Sequence, residues 1–171
     1  DCKKIIIEAG LFGAQAAGAV TVRCGDTMVL ATVVSGGLKE GLDYFPLQVE
    51  YREKYYAGGV ISGSRYVKRE GRPSDNEVLT SRLIDRSIRP LFPSNLYEEV
   101  QLVISPLSID GVNEPEILGI IGASAALSIS NIPWAGPIGA VRVGLTPEGK
   151  YLVNPTNQQK TTSRLDLGVS G

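Results

Sequence analysis

The sequence contains no histidine, and it has only two cysteines and one tryptophan among its 171 residues. Without histidine the chain lacks the usual general base, the Ser-His and Cys-His nucleophile pairs, and any zinc site that needs an imidazole ligand. Cys2 and Cys24 are too few and too isolated for a disulfide framework or a Cys-x-x-Cys metal site, so we expect them to pack as small apolar residues. Any catalysis would have to use carboxylates, arginines, a hydroxyl group or a metal ion.

Long apolar runs are absent as well. No stretch of about eighteen apolar residues occurs, and the first residues lack the pattern of a signal peptide, so we expect an intracellular protein that does not contact a membrane. The length and the 43% hydrophobic content fit one domain over residues 1–171. The net charge of −1 gives no overall attraction to nucleic acid, so the distribution of charge has to be examined instead.

Short apolar or alternating runs, separated by glycine-containing turns, predict strands. The first four runs, which we interpret as a β-meander, lie at residues 5–7, 19–23, 28–34 and 45–49. Further strands are predicted at residues 100–107, 138–145, 151–153 and 165–169. Two strand-rich stretches separated by two helices indicate an α+β fold, with the helices packed on one face of a mixed or antiparallel sheet.

The first helix is predicted from a capping box, in which Ser74 is followed three residues later by Glu77, and it should end at Pro90. Its predicted apolar face consists of Leu83, Ile84, Ile88 and Leu91. The opposite face carries Arg82, Arg86 and Arg89. These arginines are candidates for a phosphate-binding or subunit-interface role, and the alternative is that they are solvated or paired with acids such as Asp75 and Asp85.

The second helix is predicted to start at Asn113-Glu114-Pro115, with proline in its first turn, and to end before Pro133. Its glycines and alanines favour close packing against the sheet. Asp110 and Glu114 flank its beginning, where acidic side chains cap free amides, so we expect a capping role for both. Asp166 in the last strand is a single carboxylate, which alone forms neither a metal site nor an acid-base pair. Trp134 is expected to fill the core.

Residues 51–72 combine positive charge with aromatic rings. They contain six lysines and arginines against two glutamates, together with Tyr51, Tyr55, Tyr56 and Tyr66. Such a mixture suits a single-stranded nucleic acid, because cations neutralise phosphates while rings stack on bases without demanding a sequence. A solvated loop without a ligand is the alternative. The glycine spacing matches neither a dinucleotide-binding nor a Walker loop, which disfavours a nucleotide cofactor.

Two segments identify a family resemblance. Residues 68–74, Lys-Arg-Glu-Gly-Arg-Pro-Ser, and residues 83–93, Leu-Ile-Asp-Arg-Ser-Ile-Arg-Pro-Leu-Phe-Pro, closely resemble the signature of the first ribonuclease-PH-like repeat of polynucleotide phosphorylases. Segments upstream at residues 25–32 and downstream at residues 122–128 and 137–140 are similar to the same repeat in the same order. The resemblance therefore covers nearly the whole chain, and it implies the ribonuclease-PH-like fold, of the ribosomal protein S5 domain 2-like type.

The resemblance also implies an activity. The family degrades RNA processively from the 3′ end, using inorganic phosphate to release nucleoside diphosphates, and it also runs in reverse. It needs Mg²⁺ and forms a ring-shaped homotrimer, so the implied partners are the single-stranded 3′ end of RNA and a second ribonuclease-PH-like repeat of the same chain. By typical domain sizes this chain would be roughly a quarter of such an enzyme. We expect a bacterial cytoplasmic location, with a mitochondrion or plastid as the alternative.

The chain departs from the catalytic copies of this fold at two places. Those copies begin the second helix with a serine-rich or Gly-Thr-Arg turn that binds phosphate, whereas Asp110 and Glu114 here would repel a phosphate. They also pair an aspartate matching Asp166 with another six residues earlier, where this chain has Lys160. The resemblance therefore implies a non-catalytic repeat with no catalytic or metal-binding residue, and Mg²⁺ and phosphate bound outside this domain.

In the family, two aromatic and two basic residues lie on a loop that faces the active site of the second repeat and contacts RNA. The corresponding residues here are Tyr66-Val67-Lys68-Arg69. We therefore predict RNA contacts at Tyr66, Lys68 and Arg69, and at the nearby Arg72. Two alternatives stay open: an RNA-binding or assembly module without any catalysis, and a stand-alone ribonuclease-PH-like enzyme.

Overall fold

The computed structural model describes residues 4–38, 41–61 and 71–171. A five-stranded sheet forms its centre, with the order β1-β2-β3-β5-β4. Its strands are β1 (Ile5–Ala9), β2 (Gly18–Cys24), β3 (Thr27–Leu38), β4 (Leu47–Tyr51) and β5 (Glu98–Ser108). Strands β1, β2 and β3 pair antiparallel in chain order, which confirms the first part of the predicted meander.

The fourth strand does not continue the meander as predicted. Strand β5 lies between β3 and β4, antiparallel to β3 and parallel to β4, with Tyr51 opposite Ile104. The central position suits β5, because its side chains Val100, Leu102 and Ile104 are fully buried. A parallel pair needs a long crossover, and the helix between β4 and β5 provides it.

Both long helices, α1 (Asp75–Ile88) and α2 (Pro115–Ile129), pack on one face of this sheet, as predicted. The capping box of α1 is present, since Glu77 N donates to Ser74 Oγ at 3.2 Å and Ser74 N donates to Glu77 Oε2 at 2.7 Å. A Cβ on Gly122 would lie 3.1 Å from Ala31 Cβ, a tight contact, so glycine favours the close approach of α2 to the sheet there. No helix within the described ranges is long and apolar enough to cross a membrane.

The apolar face of α1 is narrower than predicted. Ile84 and Ile88 are fully buried, but Leu83 is 40% exposed, because only one side of the helix faces the sheet. Trp134, which follows α2, packs near Phe92, and its Nε1 donates to the carbonyl oxygen of Ile88 at 3.2 Å. Trp134 is partly buried and packs against the core, so the prediction that it fills the core is confirmed in part.

Residues 140–170 form a second, antiparallel sheet with the order β7-β6-β8. Its strands are β6 (Ala140–Leu145), β7 (Tyr151–Val153) and β8 (Asp166–Ser170). A short helix, α3 (Asn157–Thr162), precedes β8 and was not predicted. Its signal is in the sequence, since Thr156 and Gln159 form a second capping box.

Candidate nucleic-acid interface

Three of the four predicted RNA contacts, Tyr66, Lys68 and Arg69, lie outside the described residues, so they stay predictions. The fourth, Arg72, is exposed and lies two residues before the N-cap of α1. It makes no side-chain hydrogen bond or ion pair with another described residue. The arginine head group is therefore available to a ligand.

The carboxylate of Glu77 joins the two ends of the basic segment. Its Oε1 accepts a hydrogen bond from Glu53 N at 2.8 Å, and its Oε2 accepts one from Ser74 N at 2.7 Å. Burial opposes ionisation of Glu77, but these backbone donors outweigh it and lower its pKa. A single ionised side chain thus places the chain around Glu53 beside the beginning of α1.

The three arginines of α1 fall into two groups. Arg82 and Arg86 are exposed, one helical turn apart, and neither has a side-chain partner within the described part of the chain. Arg89, in contrast, donates to both carboxylate oxygens of Asp85 at 2.9 and 2.7 Å, and to the carbonyl oxygen of Leu47 at 3.2 Å. The alternative that these arginines pair with acids is therefore confirmed for Arg89. Its bond to Leu47 also fixes the beginning of β4 to the end of α1.

A group of five charged residues gathers where the second sheet meets α2. We call it the charged cluster, and it consists of Glu114, Glu116, Arg142, Lys160 and Asp166. Arg142, on β6, donates to both oxygens of Asp166 at 2.5 and 2.7 Å, and its Nη1 donates to Glu114 at 2.7 Å and to Glu116 at 2.9 Å. One guanidinium therefore holds three carboxylates from two different elements.

Lys160, on α3, supplies the second cation of the charged cluster. Its ammonium group contacts Glu114 Oε1, so Glu114 has a positive partner on each of its two oxygens. The hydrogen bonds from Arg142 lower the pKa of Asp166, and the same bonds raise the pKa of Arg142. The charged cluster thus brings three carboxylates together with one guanidinium and one ammonium group.

The predicted capping role of Glu114 is wrong. Glu114 occupies the N-cap position of α2, but its side chain makes no capping hydrogen bond. Its two carboxylate oxygens instead accept from Arg142 and Lys160 of the second sheet and α3, two full positive charges in place of a neutral amide donor.

Asp110 caps a turn rather than the helix itself. Its Oδ1 accepts hydrogen bonds from Val112 N at 2.7 Å and Asn113 N at 2.8 Å, and its Oδ2 accepts from Asn113 Nδ2 at 2.6 Å and from Asp26 N at 3.3 Å. Burial acts against the charge, but these donors outweigh it and place the pKa well below its usual range. Asp110 therefore joins the β2–β3 turn to the chain that enters α2.

The charged cluster does not fit a magnesium ion. Mg²⁺ is held by carboxylates and water molecules in octahedral geometry, and the carboxylates here are engaged with the arginine and lysine of the same chain. Among residues 4–38, 41–61 and 71–171, no group of three or more His, Cys, Asp or Glu side chains could hold a metal ion. A small pocket beside the charged cluster is lined on its other side by Ile5, the buried Cys24 and Ile117.

Sequence reasoning did not identify Arg142. The available signal was an arginine between two valines in a predicted strand, at a position where alternation directs the side chain opposite to its apolar neighbours. That signal gives the direction of the side chain but not its acidic partners, which lie 24 to 28 residues away in sequence.

Comparison with known proteins identifies the family of this chain. A sequence profile described as the 3′ exoribonuclease family, domain 1, matches residues 1–133. The chain is 53% identical over 170 residues to a polyribonucleotide nucleotidyltransferase of Acidiphilium cryptum, and 54% identical over 170 residues to that of Pelagibacter ubique. These alignments cover 99% of the chain but 23% and 24% of the relatives, so the chain spans about a quarter of their length.

Two solved structures share the fold. An exosome of Archaeoglobus fulgidus with RNA bound to the active site matches with a TM-score of 0.73 at 19% identity, over 98% of this chain and 72% of the other. Rice (Oryza sativa) Rrp46 matches with a TM-score of 0.78 at 14% identity, over 100% of this chain and 75% of the other. At these identities the likeness shows the fold alone, and it confirms the predicted α+β, ribonuclease-PH-like class.

Proposed function

Because this chain belongs to the 3′ exoribonuclease family and matches its domain 1, we propose that it is the non-catalytic, RNA-binding first repeat of a phosphorolytic exoribonuclease. The observation that carries the proposal is the identity of about one half, over nearly the whole chain, with polyribonucleotide nucleotidyltransferases. The reaction proposed for the whole protein is attack of inorganic phosphate on the 3′-terminal phosphodiester bond of RNA, which releases a nucleoside diphosphate.

The charged cluster supports the non-catalytic assignment of this repeat. A site for attack by phosphate must present positive or neutral donors to an anion, whereas the chain that enters α2 here presents the carboxylates of Asp110 and Glu114. The two cations nearby, Arg142 and Lys160, are each already bound to a carboxylate. A phosphate could bind Arg142 or Lys160 only by displacing those carboxylates. The displaced carboxylates would then be buried negative charges without a partner.

The exposed arginines on and just before α1 support the RNA-binding part of the proposal. Arg72, Arg82 and Arg86 are exposed and have no partner among the described residues, and Glu77 brings the basic segment to the beginning of the same helix. Free guanidinium groups bind phosphate oxygens bidentately. The role of this repeat would be to hold the RNA strand so that its 3′ end reaches an active site elsewhere.

The remaining parts of the proposal concern the whole protein. A second ribonuclease-PH-like repeat of the same chain would carry the catalytic residues and would bind Mg²⁺ and inorganic phosphate. Three such chains would assemble into a ring, in a bacterial cytoplasm. The relatives are about four times longer than this chain, which leaves ample length for a second repeat.

Phosphorolysis of oligoadenylate tests both the proposed reaction and the non-catalytic assignment of this repeat. The full-length protein should release adenosine diphosphate when phosphate and Mg²⁺ are present, and the 171-residue chain alone should release none. Release by the isolated chain would contradict the non-catalytic assignment, and lack of release by the full-length protein would contradict the proposed reaction.

The RNA path is tested by the salt dependence of binding. Replacing Lys68 and Arg69 by alanine in the full-length protein should weaken binding to oligoadenylate and reduce the salt slope by about two phosphate contacts. Lys150→Ala, an exposed lysine on the turn between β6 and β7, is the matched control and should leave the slope unchanged. Equal salt slopes in the wild type, the Lys68 and Arg69 variant and the control would show that Lys68 and Arg69 do not contact RNA.

A further inference from the structure

Two neighbouring tyrosines stand out on the surface near the beginning of α1. The side chains of Tyr55 and Tyr56 are 62% and 60% exposed. Neither hydroxyl group makes a hydrogen bond to another residue of the described ranges. Two adjacent exposed rings form a small aromatic patch that a ligand with a flat face could cover.

The tyrosines are held by a rigid turn. They open a single 3₁₀ turn, Tyr55–Gly58, whose third residue Ala57 is buried. The carbonyl oxygen of Ala57 accepts a hydrogen bond from Ile109 N at 2.7 Å, just beyond the end of β5. Gly59 ends the turn in the left-handed conformation, at φ 70°, which favours glycine. The backbone of the turn is thus fixed against the core while both rings are exposed. A ligand that covers the rings would not have to order the backbone that carries them.

Positive charge lies at the same end of the fold. Glu77 binds Glu53 N and Ser74 N through its two oxygens, so the chain two residues before Tyr55 and the chain two residues after Arg72 meet at one carboxylate. The exposed Arg72 and the two exposed rings therefore lie on chain segments that the carboxylate of Glu77 holds together.

We propose that Tyr55 and Tyr56 form a stacking platform for the bases of single-stranded RNA, near a phosphate contact of Arg72. This inference rests on the proposed function and adds a second kind of contact to it. Flat rings on a fixed backbone stack on any base, whereas arginines hold the phosphates between bases, and single-strand binders without sequence preference use this combination. Val60 and Ile61, which follow the turn, are also exposed. Contact of this surface with another protein chain is therefore the rival explanation, and the experiment distinguishes the two.

The test compares RNA with and without bases, on the full-length protein. Tyr55→Ala combined with Tyr56→Ala should weaken binding to oligoadenylate by about tenfold. A loss of this size lies in the lower part of the range for removing an aromatic ring that stacks on one base. Binding to an abasic strand of equal length should not change, and the salt slope should stay that of the wild type because no phosphate contact is lost. Phenylalanine at both positions should restore binding, since the ring is retained.

The control is Tyr151→Ala, which removes a tyrosine that is 74% exposed on the second sheet and should have no effect on either strand. Unchanged affinity for oligoadenylate, or an equal loss for both strands, would overturn the inference. A change in the number of subunits by sedimentation, without a loss of affinity for bases, would overturn it in favour of a protein contact. The wild type's phosphate-dependent release of diphosphate is measured separately, so failure of the stacking inference is distinguishable from failure of the proposed function.

Discussion

Arg142→Met removes the guanidinium from the charged cluster and keeps an unbranched side chain of similar length. The side chain of Arg142 is only 20% exposed, and its partners Glu114 and Glu116 are 10% and 23% exposed. Removing one partner of a fully buried pair costs about 3–5 kcal/mol, because the other charge stays buried without compensation. Asp166 is 53% exposed and regains water, so we expect a smaller loss of about 2–3 kcal/mol in the free energy of unfolding.

For a chain of this size such a loss lowers the melting temperature by roughly 8 °C. Thermal unfolding followed by circular dichroism at neutral pH measures it, and a urea titration checks that the unfolding transition keeps its slope. High salt should recover part of the loss in Arg142→Met, because salt screens the repulsion among the remaining carboxylates.

The matched control is Arg164→Met, which removes an exposed arginine from the chain between α3 and β8. Its side chain makes no hydrogen bond or ion pair with the residues that the structure describes, so we expect a change within about 0.5 kcal/mol. If Arg142→Met cost no more than this control, the charged cluster would not stabilise the contact between the second sheet and α2, and the reasoning would be wrong.

Two further predictions concern backbone contact and acid stability. Gly18→Ala should cost about 3 kcal/mol in thermal unfolding, because its Cβ would lie 2.2 Å from the carbonyl oxygen of Ala126, whereas Gly168→Ala, with no heavy atom within 4 Å of the new Cβ, should change stability by less than about 0.5 kcal/mol. Asp110→Asn should cost roughly 2 kcal/mol at pH 7, because the charged acceptor of several hydrogen bonds is lost. The folded-state pKa of Asp110 is lowered, so its contribution is present above the unfolded-state pKa near about 4 and is lost as the pH falls towards the folded-state value. Urea titrations between pH 7 and pH 3 should therefore show the difference from wild type narrowing below about pH 4, and a constant difference would contradict this role.

The two long helices and most strands could be predicted because their signals are local. Ser74 and Glu77 specify the beginning of α1 within four residues, and the small residues of α2 specify its burial. The position of β4 could not be predicted in this way, because the order of strands in a sheet depends on competition between distant segments. Strand β5, longer and more fully buried, takes the place beside β3 that the chain order would give to β4.

The charged residues show the same limit. Sequence alone placed Arg82, Arg86 and Arg89 on one helix face, but whether an arginine on that face has a partner depends on tertiary contacts. Arg89 reaches the carbonyl oxygen of Leu47, 42 residues away, while the other two arginines extend into solvent. The sequence likewise did not show that Asp166 pairs with Arg142, because the two residues are 24 positions apart and meet only through the pairing of β6 with β8.

The two charged regions of the chain differ in whether their cations have partners, and this difference determines where a polyanion can bind. Arg142 lies within 3 Å of three carboxylates, so an RNA phosphate arriving there would have to break existing pairs at a cost that the new contact would not exceed. Near α1, Arg72 and Arg82 are exposed and have no partner among the described residues, and each phosphate contact there releases a counterion. Although the net charge of the chain is −1, RNA should therefore bind at α1 and avoid α2. The net charge of a chain is thus a poor guide to its affinity for RNA when part of its positive charge is already neutralised from within.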